Sequence, residues 1–258
     1  MNPQTLAAVA AEFAAARREA RRLDNRAPDA APRDVAEGWR IQAELAREAG
    51  GPRGWKVGAV TPEQQAKAGV SAPIAGRLLA PWFHASPAAL VHARFVRPLI
   101  ECEIAFRIGR DLPPRPGKPY AEAEIVAAID ALVPAIEVAD SRLPPQPPTA
   151  AFLADQMANG AFVHGTPVAD WRNIDRPAVE VRVTISGKDR GTGRGDALLR
   201  DPLLGVVALA NFPPPGSDGL RRGEIVTTGA LAPVVPIAAG ERAIADFGAL
   251  GRVEVAFA

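Results

Sequence analysis

Between residues 98 and 108 every second position is apolar: Ile100, Cys102, Ile104, Phe106 and Ile108. That period of two predicts a half-buried β-strand, because successive side chains on a strand point to opposite faces. Val179, Val181, Val183 and Ile185 repeat the pattern, and a turn-rich stretch from 187 to 195 closes it. Three further strands are expected over 223–228, 242–247 and 251–257, with another over 134–140 and a short apolar run at 55–60. Helical spacing dominates the start of the chain. Leu6, Val9 and Phe13 predict a helix over 3–23, which the stretch holding Pro28 and Pro32 interrupts. Asp34 with Glu37 three residues on reads as a capping box for a second helix carrying Val35, Trp39, Ile41 and Leu45, and Gly50-Gly51 stops it. Thr61-Pro62 with Gln64 opens a small helix. After a Pro-rich loop at 112–119, Ile125, Val126, Ile129 and Leu132 mark one helical face, and Asp201-Pro202 opens a helix of Leu203, Leu204, Val207 and Leu209.

This order has no regular βαβ alternation and no internal repeat, so it predicts an α+β or mostly β core behind a helical N-terminal segment. The expected division is residues 1–52 as that segment and 53–258 as a β-rich catalytic domain, packed as one unit. The 26 prolines, about twice the average share, fall in the loops as sheet interiors require.

The 258 residues are 48% hydrophobic, enough for a sizeable core. Thirty basic against twenty-nine acidic residues leave a net charge of +1. That balance argues against a nucleic-acid or membrane-surface protein, both of which rely on a field of one sign. Small molecules or other proteins are the expected partners. The single cysteine, Cys102, excludes an internal disulfide and suits a reducing compartment. No apolar run reaches the roughly 18 residues a membrane span needs, and Glu12, Glu19 and Asp24 argue against a transit peptide. A cytoplasmic protein is expected.

The strand at 98–108 also carries Glu101 and Glu103 on the face away from its apolar set. Their bases lie roughly 6–7 Å apart on a strand, and two negative charges at that distance repel by about 2.5 kcal/mol at an effective dielectric near 20. A hard dication between them would reverse the sign; a solvated strand face is the plainer alternative. Glu137 sits inside the apolar run 133–138, where a buried charge needs a partner. Lys56 lies between glycines in Gly54-Trp55-Lys56-Val57-Gly58. With apolar neighbours it would have a lowered pKa and suit proton transfer or anion binding, unless it snorkels from a strand end. Arg142 can hold a carboxylate, or form a structural ion pair with Asp140 or a neighbour. Asp155 and Asn159, spaced i, i+4, would share a helix face or serve a cap or turn. His84, His92 and His164 lack ligand spacing, and Gly191, Gly193 and Gly195 read as a mobile hairpin loop rather than a phosphate cradle.

Four stretches taken together, 54–58, 100–106, 134–142 and 223–229, resemble in order and spacing the 2-keto-4-pentenoate hydratase and 4-oxalocrotonate decarboxylase group of the fumarylacetoacetate hydrolase superfamily. The resemblance implies a mixed β-sandwich roll and a Mg²⁺ or Mn²⁺ ion on Glu101, Glu103 and Glu137. It also implies Lys56 as the catalytic residue, with Thr228, Arg142, Asn159 and Asp155 binding substrate. The segment 155–165 is shortened by about three residues against the group's Asp-Asn pattern, and position 71 is Ser where several hydratases have an acidic residue. The implied activity is hydration of a 2-hydroxy-2,4-dienoate from aromatic-ring breakdown. Decarboxylation of a 2-oxo-3-hexenedioate, C–C hydrolysis of an acylpyruvate, and a catalytically inactive metal-binding assembly partner are the alternatives. A homo-oligomer is expected, alone or with a decarboxylase/hydratase family partner.

Overall fold

The computed structural model describes residues 1–24 and 31–258, so Pro28 of the expected break lies outside the described residues. Two sheets face each other. The first runs in the order β2 (Ile74–Leu79), β1 (Pro52–Gly58), β10 (Ile225–Ala230), β5 (Leu99–Ile108), β6 (Ile129–Ala139), β7 (Asn159–His164) and β3 (Phe83–Ala85), with β11 (Val235–Pro236) paired to β5. The second runs β4 (Ala88–Leu90), β13 (Arg252–Phe257), β12 (Arg242–Asp246), β8 (Glu180–Ile185) and β9 (Lys188–Arg194). Between them lies the main core. Ile100, Cys102, Ile104 and Phe106 of β5 and Ile136 and Val138 of β6 pack in one cluster with Val181, Val183 and Ile185 of β8 and Val253 and Val255 of β13. Each such side chain stabilises the fold by roughly 1.5–3 kcal/mol on burial, so the alternation along β5 and β8 fixes which face of each strand turns inward.

The other face of the first sheet is covered in part by helices. Helix α1 (Pro3–Arg18) packs Leu6, Val9, Ala10 and Phe13 with Ile41 and Leu45 of α2 (Val35–Glu48), and the cluster extends to Leu79, Leu143 and Ala154 of the rest of the chain. Asp34 caps α2 by accepting from the Glu37 N–H at 2.8 Å. The other half of the expected capping box is absent, since the Glu37 carboxylate accepts instead from the Arg33 N–H at 2.9 Å and pairs with the Arg33 guanidinium and the Met1 amino group. Helix α3 (Pro62–Ala68) has the full capping box between Thr61 and Gln64. Helix α6 (Leu203–Asn211) lies instead on the inner face, against β10 and β1, where a Cβ on Gly205 would meet Val57 Cγ1 at 2.9 Å and Thr228 Cγ2 at 3.0 Å.

Four expectations are corrected. Helix α1 stops at Arg18 rather than 23, and the Leu23 N–H instead bonds the Arg142 carbonyl at 2.7 Å. Ile129 and Leu132 belong to β6, not to the preceding α4 (Glu122–Ala128), because β6 is buried almost throughout and so lacks a polar alternation to mark it. The stretch 187–195 is no loose hairpin loop: most of it is β9, paired with β8 from Glu180 to Ile185. Its glycines permit close backbone approach, since a Cβ on Gly193 would lie 1.8 Å from the Leu231 carbonyl oxygen. Asp155 and Asn159 do not share a helix face. Helix α5 (Thr149–Ala154) ends before them, Gln156, Met157 and Ala158 have φ of 47°, 55° and 61°, and Asn159 opens β7.

Candidate metal centre

Strand register brings the three glutamates together. Glu101 lies directly across from Glu137 in the antiparallel β5–β6 pair, and Glu103 lies across from Ala135. One carboxylate oxygen from each of Glu101, Glu103 and Glu137 lies within 4.8 Å of the other two. Lys56 reaches the same face because it pairs with Thr227 on β10, which pairs with Ala105 on β5. The surroundings are apolar: Ala105, Val133, Ala135 and Phe162 are buried in one cluster, with Phe83 stacked on Phe162 at 5.4 Å. Glu103 and Glu137 are buried and Glu101 is half-buried, so the solvated strand face does not describe them.

Two of the carboxylates, Glu137 and Glu103, are held by donors. Glu137 Oε1 accepts from Lys56 Nζ at 2.5 Å and from Asn159 Nδ2 at 3.1 Å. Glu137 Oε2 is buried and has no hydrogen-bond partner. Glu103 Oε2 accepts from the Thr227 hydroxyl and from the Gly229 N–H at 2.8 Å. A buried anionic oxygen with nothing to accept from is costly, and a hard cation among three convergent carboxylates removes that cost. The donor set, all oxygen and all anionic, suits a hard dication. Charge agrees as well: three carboxylates, one ammonium and one dication sum to zero.

Electrostatics report the same excess of negative charge. Burial pushes the Glu103 carboxyl well above the usual carboxylate range, and Glu137 and Glu101 add to the shift. Burial also raises Glu101, against the pull of Lys56. For Lys56 the expected lowering is corrected. Burial does push its ammonium down, but Glu137, Glu101 and Glu103 together outweigh it, and the net direction is up.

The other expected residues fall in three places. Asn159 is in the cluster, on Glu137. Arg142 and Asp155 are buried beside it and bound to each other, Nε to Oδ1 at 2.7 Å, with Asp140 3.5 Å from the same guanidinium. Thr228 turns to the opposite face of β10, where its hydroxyl donates to the Ile104 carbonyl at 2.7 Å and its methyl meets Gly205. Sequence reasoning passed over Thr227, Gly229 and Arg17, all of which touch this network. Thr227 was recoverable, since it shares the Lys56 face once β1 and β10 are paired; Arg17 gave no signal in a helix end where basic residues are ordinary.

The family model described as fumarylacetoacetate (FAA) hydrolase C-terminal matches residues 57–257, and the chain belongs to this family. Among its relatives, 2-keto-4-pentenoate hydratase 1 of Dechloromonas aromatica is 31% identical over 208 residues, covering 80% of this chain and 77% of that protein. The 2-keto-4-pentenoate hydratase of Paraburkholderia phymatum is 33% identical over 216 residues, covering 82% and 80%. Among solved structures, 4-oxalocrotonate decarboxylase from Pseudomonas putida G7, complexed with magnesium and adipate, superimposes with a TM-score of 0.88 at 25% identity, over 100% of this chain and 99% of that one. The mixed-sheet fold expected from the four motifs is the fold observed.

Proposed function

We propose that this protein is a divalent-metal-dependent lyase that adds water to a small 2-hydroxy-2,4-dienoate of the 2-keto-4-pentenoate type in the degradation of aromatic compounds. The observation that carries this reading is the convergence of one carboxylate oxygen from each of Glu101, Glu103 and Glu137, with the buried Glu137 Oε2 left without a hydrogen-bond partner. Mg²⁺ or Mn²⁺ are the ions that such an all-oxygen set favours. When bound, the dication supplies a Lewis acid for the substrate's carboxylate and adjacent 2-oxygen, lowering the cost of enolate charge.

The chain's own residues do the rest. Lys56 stays cationic near neutral pH and lies beside Glu137. Its Nζ is placed to hold an anionic substrate oxygen and to pass a proton as the dienol tautomerises. Asn159 and Thr227 fix the orientation of Glu137 and Glu103 from outside the ligand set. Ala105, Ala135 and Phe162 keep water from the flank of the carboxylates, which strengthens every charge interaction there. The same proposal includes a cytoplasmic homo-oligomer; the lone buried thiol fits a reducing compartment, and sedimentation velocity reads the assembly.

A second reading, decarboxylation of a 2-oxo-3-hexenedioate, draws on the end-to-end overlay with the decarboxylase structure. Steady-state assays with the dienoate, the hexenedioate and an acylpyruvate, each with and without Mg²⁺, separate the readings. Metal-dependent hydration of the dienoate is the expected result; inertness toward it beside turnover of the hexenedioate assigns the second. Glu103→Gln should remove Mn²⁺ binding by calorimetry and abolish turnover while the circular dichroism spectrum stays native. Wild-type binding in that variant would refute the ligand assignment.

A further inference from the structure

Arg17 is a buried cation beside the site, and it belongs to none of the strands that build it. It lies in the last turn of α1, only 4% exposed, with its guanidinium 4.2 Å above the Trp82 ring. Its fork grips the start of β7. Nη1 donates to the Asn159 carbonyl at 2.6 Å, Nη2 to the Gly160 carbonyl at 2.7 Å, and Nη2 also reaches Asn159 Oδ1 at 3.3 Å. Nη1 lies 3.4 Å from Gln156 Oε1 as well. Burying a guanidinium is costly. Burial pulls the Arg17 pKa down to about 9, and the neighbouring Arg142 adds to the fall.

Two features of the gripped segment need such a clamp. The first is backbone strain. Gln156, Met157 and Ala158 are three consecutive non-glycine residues in the left-handed region, a conformation costing roughly 1–2 kcal/mol for each L residue. Arg142 helps to hold it, donating from Nη2 to the carbonyls of Asp155 at 3.1 Å and Asn159 at 3.2 Å. The second is amide direction. An asparagine amide can present either end, but only its N–H₂ can face a carboxylate. With Oδ1 turned to Arg17, Nδ2 faces Glu137 Oε1 at 3.1 Å. Reversal would set Oδ1 against the carboxylate and leave an arginine N–H facing N–H₂. Glu137 Oε2 is then the oxygen without a donor.

We infer that Arg17 is a positioning residue for the metal centre: from the N-terminal helix it sets the Asn159 amide, which orients Glu137 so that Oε2 is offered to the cation. The inference rests on the metal-centre reading above. It joins the N-terminal helix, which lies before the family-matched region, to the chemistry of that region.

The test measures Mn²⁺ affinity by calorimetry on the full chain, with kcat and KM for the dienoate, for wild type, Arg17→Met, Arg17→Lys, Asn159→Ala and the Arg17→Met/Asn159→Ala double variant. Arg17→Met should weaken Mn²⁺ binding about 10–100-fold, the range for residues that orient metal ligands, and lower kcat more than it raises KM. Arg17→Lys keeps the charge but not the fork, so it should restore only part of the affinity. Asn159→Ala should cost a similar amount, and the double variant little more than either single change, because both act through one contact. Wild-type Mn²⁺ affinity in Arg17→Met, or additive losses in the double variant, overturns the inference. Should Arg17→Met fail to fold, Arg17→Lys alone decides it: undiminished affinity there is equally fatal. Failure of the parent reading looks different, since wild type itself would then give no metal-specific signal, or Glu137→Gln would bind Mn²⁺ as tightly as wild type.

Discussion

Cys102 sits on β5 between Glu101 and Glu103, and alternation alone gives it the opposite environment. The glutamates point to the cluster with Lys56, whereas the thiol points between the sheets and is fully buried. Burial pushes its pKa up to about 12, and the fields of Glu103 and Glu101 add to the rise. The thiolate fraction at pH 8 is then on the order of one in ten thousand. Iodoacetamide should leave the folded protein unmodified by mass spectrometry at pH 8 and alkylate it after unfolding in guanidinium; labelling of the native state would place the thiol nearer solvent. Thr227 and Thr228 illustrate the same rule. One donates to Glu103 and its neighbour to the Ile104 carbonyl, so a shift of one position decides which threonine serves the site.

At the scale of elements, β9 packs by backbone closeness rather than by side-chain bulk. Gly193→Ala would drive a Cβ to within 1.8 Å of the Leu231 carbonyl oxygen, and relief by movement costs about 1–3 kcal/mol. Calorimetry should record a Tm lower by roughly 2–12 °C, at about 2–4 °C per kcal/mol in a chain of this size; an unchanged Tm would mean the second sheet yields freely there. This strand explains much of what the sequence hid. β5 and β8 were legible because one face of each is apolar and the other polar. β9 carries glycines where a strand ordinarily carries branched residues, so nothing local announced it. The start of β6 was misread for a different reason: Ile129 and Leu132 continue by coincidence the helical spacing of Ile125 and Val126 in α4, in a strand buried almost throughout. The three carboxylates were visible as types and positions, but their convergence depends on β5–β6 register. The left-handed turn at 156–158 uses ordinary residues, held by arginines distant in sequence, and had no local signature.

For the whole molecule, the excess negative charge at one point inside the fold links metal occupancy to stability. A ligand that binds only the folded state adds RT ln(1 + [L]/Kd), about 2.7 kcal/mol at one hundred times Kd. Mg²⁺ or Mn²⁺ at that excess should raise Tm by roughly 5–11 °C, and Glu103→Gln should show no rise; an equal rise in both would trace the effect to another site. Among the described residues no helix is long and apolar enough to cross a membrane. The three candidate ligands stand on β5 and β6, which have neighbours on both sides in the first sheet. Neither strand can swing, because each is tied along its length to two others. Capture of an ion at the proposed centre would therefore need no moving loop: the ligand strands would keep their places while the sheet is intact and lose them together when it melts, leaving the overlying turn and helices to tune the grip.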